Sequence, residues 1–119
     1  MDKLEFLRSK GVDVDTAVEN MMGEDIYNEM IAEFLNALPD DMTKLEEAKN
    51  NNDLANYGIL AHALKSNARS FGFTDLGNMA YDHEMAGKGN DQAFIDENYD
   101  FLVNAVNSTK EIISTYINM

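Results

Sequence analysis

Apolar residues along this chain recur at intervals of three and four, the spacing that gathers side chains on one face of a helix. Lys3 to Lys10 predicts a short helix closed by Gly11, and Val14 to Met22 predicts a second, capped by Asp13 or Asp15 and stopped by Gly23. From Asp25, DIYNEMIAEFLNAL carries Ile26, Met30, Ile31, Phe34, Leu35 and Leu38 at helical spacing. Pro39 is expected to kink or break this helix, because a proline lacks the N–H and its predecessor avoids the helical region. Asp40 or Asp41 then caps a restart through MTKLEEAKN. After the NNND turn, Asp53 predicts the N-cap of a helix from Leu54 to about Phe71, ending at Gly72. Thr74 is expected to cap DLGNMAYDHEMAGK, which stops in the Gly87 to Gly89 turn. Asp91 opens the last helix, to about Ile117, with Phe94, Ile95, Phe101, Leu102, Val106, Ile112 and Ile113 on its apolar side.

The connections are only a few residues long, which favours antiparallel neighbours. No strongly alternating run of β-branched residues, internal repeat, low-complexity tract or domain boundary interrupts the pattern. The expected fold is therefore a single all-α domain over residues 1–119, an antiparallel up-down four-helix bundle with one or two short extra N-terminal helices.

Composition narrows the function classes. The chain of 119 residues is long enough to bury one core, and its 45% apolar and 26% charged content is that of a globular protein. The net charge of −13, from 22 acidic and 9 basic residues without a basic stripe, speaks against nucleic-acid binding. No apolar run is long enough to cross a bilayer, and MDKLEFLRSKG is charged from its second residue, unlike a signal peptide. The absence of cysteine removes thiolate zinc sites and fits a reducing, cytoplasmic setting.

The candidate chemistry lies in AHALKSNARSFG, Ala61 to Gly72. On a wheel at about 100° per residue, Leu54, Tyr57, Ala61, Leu64, Ala68 and Phe71 form one core-facing seam. His62 then points roughly 130° away from the centre of that seam. Gly58 and Ser66 share its face one turn before and after, while Lys65 and Arg69 lie between that face and the core boundary. Glycine inside a helix costs about 1 kcal/mol relative to alanine, so Gly58 reads as space kept open for something large that approaches His62. A neutral imidazole is a good nucleophile near neutral pH, since an unperturbed histidine titrates around 6.5. An ammonium three residues on can reach a phosphoryl group bound to the ring and stabilise it. His62 is thus a candidate phosphoryl acceptor, Lys65 a candidate phosphate clamp, and Gly58, Ser66 and Arg69 a candidate docking surface.

These residues resemble the signature of histidine-containing phosphotransfer (HPt) domains of two-component phosphorelays. That pattern reads roughly H-x-L-K-[small]-x-[small] with a glycine ten residues after the histidine, matched here by His62, Leu64, Lys65, Ser66, Ala68 and Gly72. The similarity continues through Leu76, Ala80, Glu84 and Ala86, and upstream through GEDIYNEMIAEFLNALPDDMTKLEEA. Two positions depart from the pattern. Ser66 stands where glycine is usual, and His83 occupies an apolar position facing the core with Leu76, Met79 and Ala80, where a neutral histidine with a buried hydrogen bond is expected.

The resemblance implies a four-helix bundle whose exposed His62 accepts a phosphoryl group from a receiver-domain aspartate and passes it to another receiver, with Lys65 stabilising the group. It implies receiver domains of response regulators or hybrid histidine kinases as partners. It also implies a monomeric phosphocarrier without a cofactor of its own, any divalent metal such as Mg coming from the partner receiver. A metal site is not expected: Ile59 and Ala80 stand where a di-iron bundle has its glutamates, and HEMAG lacks the second histidine of a zincin helix. No nucleotide-cradling glycine run is present, which favours a carrier over a kinase. Two alternatives stay open. One is a receiver-docking module of the same fold that carries no phosphate. The other is a phosphoacceptor domain excised from a larger hybrid or chemotaxis-type kinase, although a start at Met1 fits a free-standing chain.

Overall fold

The apolar stripes fold into six helices in the computed structural model, which describes residues 2–119. They are α1 (Lys3–Ser9), α2 (Val14–Asn20), α3 (Glu24–Asn50), α4 (Leu54–Ser70), α5 (Thr74–Lys88) and α6 (Gln92–Ile117), with no strand among the described residues. The four long helices α3 to α6 run up and down around one core, each packed against its two neighbours, and α4 lies closest to α5. The short helices dock outside this bundle, α1 against α6 and α2 against α3. Among the described residues no helix is long and apolar enough to cross a membrane.

One turn design recurs at the joints. α3, α4 and α5 each end with a residue of positive φ followed directly by the next N-cap: Asn52, Gly72 and Asn90 (φ 55°, 88° and 57°) precede Asp53, Phe73 and Asp91. The N–H after each left-handed residue returns to an alanine carbonyl in the last helical turn, from Asp53, Phe73 and Asp91 to Ala48, Ala68 and Ala86. Asp53 and Asp91 then accept from the N–H groups of Asn56 and Phe94, so three-residue links suffice to reverse the chain. At Gly72 the backbone also touches the N-terminal segment. Its carbonyl accepts from the N–H of Asp13, and a Cβ there would stand 2.5 Å from the Asp13 carbonyl oxygen.

Several expectations give way. Pro39 does not break α3, which runs on through Asn50, and Asp40 and Asp41 sit inside that helix instead of capping a restart. Pro39 lies on the exposed side, while buried Phe34, Leu38 and Leu45 hold one helix face against the core on both sides of it. α2 ends at Asn20 with Met22 in the left-handed region, and Gly23 begins α3 instead of stopping α2. Phe73, not Thr74, occupies the N-cap of α5. Phe101 is 62% exposed, and Tyr99, Thr109 and Tyr116 take core positions of α6 beside the expected Ile95, Leu102, Val106 and Ile113.

The seam of α4 is buried as its spacing predicts. Gly58 is buried too, which corrects its assignment to an open docking face. It lies under α5, where a Cβ on Gly58 would stand 3.4 Å from the Glu84 carbonyl oxygen and the Lys88 nitrogen. The facing Gly87 is tighter still: its Cβ would come within 2.7 Å of the Gly58 nitrogen and 2.8 Å of the Leu54 carbonyl oxygen. The helix-propensity cost of Gly58 is therefore offset by the contact of two backbones, not by clearance for a partner.

This asymmetry is testable by urea or thermal denaturation. Gly87→Ala should lose about 1–3 kcal/mol through overpacking. Gly58→Ala should stay within about 1 kcal/mol of the parent or exceed it, because improved helix propensity meets only a marginal contact. Gly58→Gln should be clearly destabilised, since the rest of its side chain has no room beneath α5.

Candidate functional site

His62 projects from the middle of α4 with 57% of its side chain exposed, in line with the wheel. Across the groove, α5 delivers Glu84, which is only 2% exposed. The close approach at Gly58 and Gly87 brings these two helices near enough for the His62 Nδ1 to lie 2.9 Å from Glu84 Oε2. The Lys65 ammonium lies 2.8 Å from the other oxygen, Oε1, and the Lys88 ammonium 2.7 Å from Oε2. One buried carboxylate is thus shared by three nitrogen groups.

Burial alone would favour the neutral acid, but the adjacent ammonium groups of Lys65 and Lys88 outweigh it and hold the Glu84 carboxyl down at about 2, from an ordinary 4.5. An ionised carboxylate can only accept, so Nδ1 of a neutral His62 carries the ring proton and donates it to Glu84. Nε2, on the opposite edge of the ring, keeps its lone pair. The pairing therefore selects the tautomer suited to attack by Nε2.

The other candidate residues fall around this centre. Lys65 is on α4 as expected, with its side chain 14% exposed and its ammonium committed to Glu84 and 5.5 Å above the ring centre of Tyr81. Arg69 crosses onto α5, where it donates to Asn78 Oδ1 at 3.2 Å and lies 5.8 Å from the Tyr81 ring centre. Ser66 is exposed, and its carbonyl accepts from the Ser70 hydroxyl. The structure thus brings His62 and Lys65 to one carboxylate, sets Ser66 and Arg69 on the exposed side of α4, and turns Gly58 inward. Ile59, Tyr81 and Met85 add exposed apolar surface beside these residues. α4 itself contains no aspartate or glutamate, although the chain has 22.

Glu84, Lys88 and Tyr81 have no site role in the sequence reading. The available signal was a glutamate on the edge of the apolar stripe of α5 with a lysine at i+4. His83, next to it, is a core residue as expected: it is 1% exposed, and burial pulls its pKa down. Its Nδ1 lies 2.7 Å from the Tyr57 hydroxyl, whose own pKa is pushed up by burial, so a neutral ring and a neutral phenol share this buried hydrogen bond.

With this geometry in place, the family is decided by one match: a family model for the Hpt domain covers residues 29–111. The chain belongs to the Hpt family. No curated protein and no solved structure matches it. The Hpt match starts inside α3 and ends inside α6, so it takes in the four-helix bundle and leaves α1 and α2 outside. Hpt domains are phosphocarriers that transfer phosphoryl groups through histidine in phosphorelays, and they interact in general with receiver domains.

Because the folded-state pKa of Glu84 lies below its ordinary value, its ionisation stabilises the fold fully above that value and loses its effect as protons are taken up below it. Stability should fall as pH drops from 4.5 toward about 2. Glu84→Gln should flatten that part of the profile, and at neutral pH it should cost about 1–3 kcal/mol by leaving Lys65 without its partner. Urea denaturation of both forms at a series of pH values measures the difference.

Proposed function

We propose that His62 is the phosphoacceptor of a phosphorelay carrier. Its Nε2 lone pair forms the N–P bond to the phosphoryl group of a receiver's aspartyl phosphate, and the P–O bond to that aspartate breaks with its electron pair leaving on the carboxylate. The ring becomes cationic, and the charge is met by Glu84 across the Nδ1–H bond. The reverse sequence hands the group to the aspartate of a second receiver. The observation that carries this reading is the bond from the exposed His62 to the buried, ionised Glu84, which leaves Nε2 as the nucleophilic nitrogen.

Lys65 exchanges part of its contact with Glu84 for the phosphoryl oxygens once the group is in place. Ser66 and Arg69, with the apolar side chains of Ile59, Tyr81 and Met85, form the surface on which receivers dock. The carrier acts in the cytoplasm as a monomer, with residues 1–119 as one domain. It has no ATP site or cofactor of its own, and the receiver supplies the divalent metal. Neither nucleic acid nor membrane is a partner.

The test is transfer from a charged receiver, followed by detection of acid-labile, alkali-stable phosphate. His62→Gln should abolish labelling and His83→Gln should retain it; the opposite pattern would overturn the assignment. Lys65→Ala should remain folded and slow transfer or shift its equilibrium roughly ten-fold or more, the size of a charge-assisted contact that tightens on transfer.

A further inference from the structure

The three groups around Glu84 are not equivalent. Lys65 has its own oxygen, Oε1, and a side chain only 14% exposed. His62 and Lys88 share the other oxygen, at 2.9 and 2.7 Å. Lys88 is the last residue of α5, and its side chain is 60% exposed. Of the two ammonium groups it is therefore the one that can leave the carboxylate by rotating into solvent, with no helix moved and no buried stem displaced.

The shared oxygen matters because the imidazole gains positive charge when Nε2 attacks. The strength of the Nδ1–H bond to Oε2 sets how well that charge is met. An ammonium on the same oxygen draws on the same electron density and weakens what Glu84 offers to the ring. Proximity of Lys88 to His62 thus opposes the reaction, in contrast to the assistance expected from a cation near a phosphoryl group.

Taking His62 as the acceptor, as proposed above, we propose that Lys88 is a positioning residue that restrains His62 through Glu84, and that the restraint lifts when a docked partner's acidic side chain draws Lys88 off Oε2. The acidic partner follows from charge: Lys65 and Arg69 belong to α4, a helix without acidic residues, and Lys88 stands beside them at the end of α5, in a chain of net charge −13. The carrier would then accept phosphate less readily alone than in the complex, which limits its uptake from adventitious small donors.

The full chain and its variants can be compared in their rate of His62 labelling by phosphoramidate, which needs no protein surface. At about 1 M salt the Debye length is about 3 Å, so long-range attraction of the anionic donor is suppressed. Lys88→Met should label faster than the parent by about two- to five-fold, the equivalent of part of one hydrogen bond. Lys88→Arg should restore the parental rate. In a Glu84→Gln background, Lys88→Met should change nothing, because the effect passes through the carboxylate. The Nδ1–H proton resonance of His62 should move downfield in Lys88→Met, a response that a change in overall stability does not produce. With a charged receiver as donor, the gain from Lys88→Met should shrink toward one-fold, since docking already releases Lys88.

A Lys88→Met rate at or below the parent, or a gain that survives in the Glu84→Gln background, would overturn the restraint and make Lys88 a simple phosphate clamp or a bystander. An equal gain with small donor and receiver would overturn release by docking. Failure of the parent protein to label on His62 with either donor would instead remove the acceptor assignment on which the inference rests.

Discussion

The contact between the backbones of α4 and α5 at Gly58 and Gly87 sets the rest of this structure. Side chains normally hold helix axes about 8–10 Å apart, and two glycines facing each other remove that spacer. Once the axes are close, a glutamate on α5 lies beneath the exposed face of α4 and loses its water. A buried carboxylate without partners is strongly unfavourable, and the sequence surrounds Glu84 with two ammonium groups and an imidazole N–H. The electrostatics of the site follow from a packing decision made one turn away.

The chain has two histidines, and α4 and α5 use them in opposite ways. His62 donates through Nδ1 to a charged acceptor and keeps its far nitrogen at the surface. His83 pairs through Nδ1 with the Tyr57 hydroxyl and spends its ring edge-on to Phe94 in the interior. Both rings are fixed by one hydrogen bond across the same helix pair, yet only one has a nitrogen lone pair that a partner can approach. Environment, not residue type, separates a nucleophile from a core side chain.

Much of the fold was legible because helical period and turn chemistry act locally. The α4 seam, the caps at Asp53 and Asp91 and the exposure of His62 all follow from residues within a few positions of one another. The failures come from interactions between elements. Pro39 breaks a helix by local rules, but contacts of Phe34, Leu38 and Leu45 with the core keep α3 whole. Gly58 looked like clearance because its facing partner, Gly87, lies on another helix. Glu84 fitted the family pattern, but its link to His62 spans 22 residues and depends on the α4–α5 distance, which no single helix encodes. Phe101 fits an apolar stripe by period alone, and only the arrangement of neighbours decides that its side of α6 is uncovered.

The lack of acidic residues on α4 gives the molecule an electrical polarity. Most of its surface repels a negatively charged body, while α4 and the adjoining ammonium groups do not. A partner colliding in a wrong orientation meets a force that pushes it away, and one approaching α4 meets a torque that turns it into register. At physiological ionic strength the Debye length is about 8 Å, so this sorting acts only in the final approach. It raises the fraction of useful collisions without tightening the complex that results, which suits a carrier that must release one partner before meeting the next.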